Sequence, residues 1–195
     1  MNSNNKEALL LLYNELRGQL NSKPRCSSYL LRSKLGNSLY RHIVAETYIP
    51  SSKKSQGKIY TAIRSQASGN CLYSSVSLLL VGENSLVSIL RILTSLELYL
   101  HCDFYNKHPA FSLAVTEHHD LSLVNLLPLS VSASCLDSGL KNEDLIKQEA
   151  ILNCYDGTWS PFLCILGLSS VIGNEIFTYY PDCGDIRPKL LLIDM

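Results

Sequence analysis

Ser68-Gly69-Asn70-Cys71-Leu72-Tyr73-Ser74-Ser75-Val76-Ser77-Leu78-Leu79-Leu80 decides how the rest of the chain is read. A tight Gly/Asn turn runs straight into a helix that carries a cysteine in its first turn. Gly69 can take backbone conformations closed to other residues, and Ser68 or Asn70 can cap the helix start. Leu72, Val76, Leu79 and Leu80 recur at helical spacing and anchor that helix in a core. The unpaired amides and partial positive charge at a helix N-terminus favour a thiolate, so a nucleophilic cysteine belongs there. A buried, inert thiol is the alternative, and the turn alone does not choose between them.

Outward from the turn, Lys58 to Ile63 alternates as a strand leading in. Earlier, residues 6–20 predict a helix with Leu9, Leu12, Leu16 and Leu20 on one face. Residues 21–56 are rich in Ser, Lys and Arg, broken by Pro24 and Pro50, with a short helix over Tyr40 to Ala45. Residues 1–57 therefore read as a helix and polar lead-in, and residues 58–195 as the domain. Beyond Gly82-Glu83-Asn84, a helix capped by Asn84 or Ser85 presents Leu86, Leu90, Leu93, Leu96 and Leu100, with Glu97 as a polar interruption. Asn142 opens another helix, which Asp156-Gly157 ends. Thr158 is expected to cap the next, with Trp159 and Pro161 in its first turn and Gly173-Asn174 as its stop. Glu175 to Tyr180 alternates as a strand, and Lys189 to Ile193 reads as one more. The expected fold is α/β (α+β), with the Cys71 helix packed centrally against a small mixed β-sheet that includes Glu175 to Tyr180.

Composition narrows the function classes. Lysine plus arginine (17) equals aspartate plus glutamate (17), so no basic stripe points to nucleic acid. The apolar runs Leu9–Leu12 and Leu78–Val81 are too short to span a bilayer, and no secretory signal is evident, so cytoplasm or nucleus is expected. Seven scattered cysteines with no C-x-x-C pair argue against a zinc knuckle and against a disulfide framework. His118-His119-Asp120 lacks a third ligand at helical spacing, so no metal and no cofactor is expected. Cys102, Cys154 and Cys164 sit among apolar neighbours as core filler. Cys71 is expected to be the most reactive thiol, with Cys183 in its turn as the rival.

Three blocks carry a resemblance: Gly69-Asn70-Cys71-Leu72-Tyr73-Ser74-Ser75-Val76-Ser77; Leu90-Arg91 with the Leu93, Leu96, Tyr99 helix; and Gly157-Thr158-Trp159 with the helix to Ile172 and Glu175 to Pro181. In this order they resemble the ovarian tumour (OTU) family of cysteine proteases, in its divergent vertnin-like, transposon-associated type. The resemblance implies a papain-like thiol hydrolase that cleaves ubiquitin from lysine side chains or from other ubiquitins. Ubiquitin or polyubiquitin is the implied partner, Cys71 the nucleophile, and Gly69 and Asn70 the oxyanion turn.

Two positions depart from the family pattern. Ser68 stands where the family has aspartate, and no histidine follows His119, whereas the family carries its base on a strand near the domain's C-terminal end. Losing that base lowers rates by orders of magnitude. The expectation is thus an OTU-like deubiquitinase domain, C-terminally incomplete and inactive or truncated as given. A non-catalytic ubiquitin-binding or scaffold module is the alternative, and an unrelated domain with a merely structural turn is a third.

Overall fold

The computed structural model describes residues 3–27, 31, 33, 41–50, 60–117, 120–135 and 139–178, and these are largely helical. The helices are α1 (Ser3–Ser22), α2 (Ile43–Thr47), α3 (Cys71–Val81), α4 (Val87–Leu100), α5 (Cys102–Asn106), α6 (Asn142–Asn153) and α7 (Phe162–Ile172). Strands β1 (Ser112–Glu117) and β2 (Asp120–Asn125) pair antiparallel, from Ser112 opposite Asn125 to Glu117 opposite Asp120.

The centre of the molecule is α4, around which α1, α3, α6 and α7 pack. Its leucines face every side: Leu90, Leu93 and Leu98 are fully buried, and Arg91, Thr94, Ser95 and Glu97 are nearly so. A helix enclosed this way must pair each of its polar groups, because an unpaired buried one costs kilocalories. Glu97 accepts a hydrogen bond from Tyr13 of α1 at 2.6 Å and from Tyr105 of α5 at 3.1 Å. Burial, reinforced by the Glu97 carboxylate, pushes both phenols well up, so they stay protonated donors. Against α7 the approach is close. A Cβ on Gly167 would sit 2.9 Å from Leu98 Cγ, so a glycine there lets the two helices meet. Gly82 and Gly173 close α3 and α7 in the left-handed conformation, as the breaks at these positions predict.

The expected mixed sheet is overturned. Among the described residues the sheet is the β1–β2 hairpin alone, in a stretch that no strand pattern marked. Residues 175–178 belong to no strand; Phe177 is exposed while Ile176 packs on the helical core. Alternation among β-formers states a preference, but a strand needs a partner edge, and among the described residues none pairs with this stretch. On the approach to Cys71, Lys58 and Ile59 lie outside the described residues, and Ile63 makes an isolated antiparallel bridge to Arg41. The Cys71 helix flanks the core, and the central place belongs to α4. Residues 179–195, with Lys189 to Ile193 and Cys183, lie outside the described residues, as do His118 and His119. Among the described residues no helix is long and apolar enough to cross a membrane.

Candidate thiol site at the start of the Cys71 helix

Cys71 begins α3, half-buried, with Asn70 as the residue before the first turn. Neither expected side-chain cap forms. Ser68 shapes the turn differently: its carbonyl accepts the Cys71 amide at 3.0 Å and its hydroxyl accepts the Asn70 amide at 3.3 Å. Ser68 thus meets the hydrogen-bonding needs of the turn without the charge of an aspartate. The Asn70 carboxamide turns away from the helix. Its Nδ2 donates to Asp156 at 2.8 Å, and its Oδ1 accepts from Arg91 Nε at 3.0 Å and Nη2 at 2.8 Å.

Arg91 ties the turn to the loop between α6 and α7. Beyond Asn70, its Nη2 donates to the carbonyls of Gly69 (2.8 Å) and Thr158 (2.9 Å), and its Nη1 donates to the carbonyl of Asn153 (2.9 Å). The guanidinium also lies over the Tyr73 ring, 4.7 Å from its centroid. Every one of these acceptors is uncharged. Only a planar fork with five donors can serve so many carbonyls at once, which is why arginine fits here and lysine does not.

Gly69 sits hard against the facing loop. A Cβ on it would lie 1.8 Å from the Gly157 carbonyl oxygen, so only glycine lets the two backbones meet. Deeper in, Asn153 is fully buried; its Oδ1 accepts from Tyr73 at 2.7 Å and Ser160 at 3.2 Å, and its Nδ2 donates to Ser95 at 2.9 Å. Burial pushes the Tyr73 phenol well up, keeping it a donor. Tyr73→Phe is expected to destabilise by about 1 kcal/mol in denaturant unfolding, since Ser160 still serves Asn153. A loss beyond about 3 kcal/mol would mean that the network fails as a unit.

Thr158 does not cap α7, which starts only at Phe162 after Pro161; its carbonyl accepts from Arg91 instead. Trp159 lies before the helix and is exposed. Cys102 and Cys164 are buried as expected, whereas Cys154, expected in the core, is exposed at the end of α6. Burial pushes the thiols of Cys102 and Cys164 up; that of Cys135, with Glu149 beside it, reaches about 12.

The described imidazoles are engaged within their own segments. His42 Nδ1 accepts from the Ala45 amide at 3.0 Å, and His108 Nδ1 from the Ala110 amide at 3.2 Å. His101 Nδ1 lies 3.3 Å from Glu97. Desolvation lowers the pKa of His108. Among the described residues no imidazole is hydrogen-bonded to Cys71, and no three side chains gather as a metal-ligand set. Sequence reasoning missed Asn153, Asp156 and the role of Arg91. One signal was present: a lone arginine inside the leucine repeat of α4, on a helix too apolar to leave it in water.

No curated protein and no solved structure matches the chain. A family model described as the OTU domain of vertnin matches residues 62–192, more than half of the chain, and this span holds the Cys71 turn, Arg91 and the loop they clamp. The chain therefore belongs to the OTU family, in its vertnin type.

Proposed function

We propose that Cys71 is the nucleophile position of an OTU-type thiol isopeptidase acting on ubiquitin or polyubiquitin, and that the 195 residues by themselves turn such substrates over poorly. The observation that carries this is the turn before α3, which Arg91 holds against the Gly157 loop with Cys71 in the first helical turn. A thiolate there would attack the isopeptide carbonyl and expel the lysine amine, leaving an acyl-enzyme for water to hydrolyse. Both steps need a base, and the amine needs a proton as it leaves. No histidine follows His119, so poor turnover is expected. Six described cysteines are free, which suits the reducing conditions of cytoplasm or nucleus.

Alkylation with iodoacetamide at pH 7, followed by peptide mapping, tests the nucleophile. Cys71 is expected to react first, ahead of exposed Cys154, while Cys102, Cys135 and Cys164 react only after unfolding. Labelling of Cys154, Cys26 or Cys183 faster by about an order of magnitude would remove Cys71 from the role. Di-ubiquitin hydrolysis tests the base. Appending a strand that bears a histidine is expected to raise turnover by orders of magnitude. Robust turnover by the unextended chain, abolished by Cys71→Ala and by His118→Ala or His119→Ala, would place the base on that doublet instead.

A second reading, a non-catalytic ubiquitin-binding module, draws on one feature of the turn. The Asn70 and Cys71 amides, which an oxyanion would need, are engaged by Ser68. Saturable binding of ubiquitin with no hydrolysis even by the extended chain would favour it.

A further inference from the structure

We infer that Asp156 is a positioning residue for Cys71, acting through the Asn70 carboxamide; this rests on the assignment of Cys71 as nucleophile. Asn70 directly precedes Cys71, and its two carboxamide ends face partners of opposite character. Arg91 can only donate and the Asp156 carboxylate accepts, so the carboxamide has one orientation: Oδ1 to Arg91, Nδ2 to Asp156. The Gly157 amide adds a longer donor to Oδ1 at 3.4 Å. Arg91 anchors that oxygen from the buried side, but the Nδ2 end is held by Asp156 alone among the described residues. Without it, the carboxamide keeps only the bonds at Oδ1, and the turn leading into Cys71 loses one of its ties to the loop after α6.

Asp156 is suited to this and to little else. It is exposed, in the turn that follows α6, and among the described residues its Oδ1 bond to Asn70 is its one hydrogen bond to the Cys71 turn. Its removal leaves the Arg91 bonds to Gly69, Asn153 and Thr158 in place. Exposure also screens its charge, so the effect is one of hydrogen-bond geometry, and a neutral acceptor of the same shape should serve.

The experiment compares wild type, Asp156→Ala and Asp156→Asn in the full chain. It reads the rate of Cys71 alkylation by iodoacetamide at pH 7 relative to Cys26 in the same molecule, together with the thermal midpoint. Asp156→Ala is expected to slow Cys71 about three- to tenfold, the span of one hydrogen bond, with a midpoint within about 2 °C of wild type. Asp156→Asn is expected to restore the wild-type rate, and neither rate to respond to 0.5 M salt beyond about twofold. An unchanged or faster Cys71 in Asp156→Ala overturns the inference. So does an Asp156→Asn that behaves like alanine, since charge would then be the cause. If wild-type Cys71 is no faster than Cys26, the nucleophile assignment itself falls, and that outcome is visible before any variant is compared.

Discussion

Arg91→Ala is expected to lower the unfolding free energy by about 3 kcal/mol and the thermal midpoint by roughly 10 °C. The truncated side chain leaves several acceptors behind. The carbonyls of Gly69 and Asn153 each lose a buried donor, and at the edge of the site Thr158 loses one and Asn70 Oδ1 two. Each buried acceptor left without a partner costs about 1–3 kcal/mol, while the two at the edge recover water. Relief from burying an uncompensated guanidinium offsets part of that sum. Arg91→Lys separates geometry from charge. An ammonium has three donors and no fork, so it cannot reach Gly69, Asn153 and Thr158 together, and it is expected to recover less than half of the loss. Denaturant unfolding of both variants checks this. A loss below about 0.5 kcal/mol for Arg91→Ala would mean that water replaces the guanidinium at no cost, and that Arg91 is no clamp.

The same residue shows where the sequence was legible and where it was not. The helix after the turn follows from local rules, a cysteine at a helix start and apolar residues at helical spacing. Its buried face, however, is Tyr73, Val76 and Leu78, while Leu79, expected in the core, is exposed. Gly69, read for backbone freedom, is needed for its close approach to Gly157. Gly82 and Gly173 mark helix ends for equally local reasons. Helix α4 shows the limit. Leu86, Leu90, Leu93 and Leu96 announce a buried face, and all four are buried. The stripe does not announce that the rest of the helix is buried too: Glu97 reads only as a polar interruption and Arg91 only as part of a family-like block, yet both are interior hubs. Partners such as Asn153, 62 residues away, carry no local signature at all. Burial on both faces is a property of packing, and periodicity on one helix cannot report it.

The strand pattern at Glu175 misled for a related reason. Ile176, Phe177 and Thr178 are residues that sheets favour, yet β preference mostly expresses fit to a neighbouring strand. Here the neighbours are helices: Ile176 packs on the core beside α7, and Phe177 is left exposed. The hairpin that does form pairs Ser112–Glu117 with Asp120–Asn125, and the sequence between Ser112 and Asn125 holds no glycine or proline to announce it.

Gly69→Ala is the most economical probe of the clamp, because it adds one carbon and removes no hydrogen-bonding group. That carbon would lie 1.8 Å from the Gly157 carbonyl oxygen, 2.3 Å from its carbon and 2.7 Å from the Thr158 carbonyl carbon. All three are backbone atoms, so no side chain can swing aside; the loop after α6 must retreat by more than an ångström. Retreat stretches the Arg91–Thr158 bond at 2.9 Å and the Asn70–Asp156 bond at 2.8 Å, while α3, anchored by fully buried Tyr73, stays in place. Overpacking of this kind costs about 1–3 kcal/mol, and the strained bonds place the expected loss near the upper end, about 3 kcal/mol. Cys71 alkylation should slow with it, because the turn that aims the thiol is no longer held against the loop. Adding Asp156→Ala to Gly69→Ala should then slow Cys71 little further, as the bond it removes is already broken. If the two effects instead multiply in full, the Gly69 contact and the Asn70–Asp156 bond act on Cys71 independently, and the turn is held by two separate devices rather than one clamp.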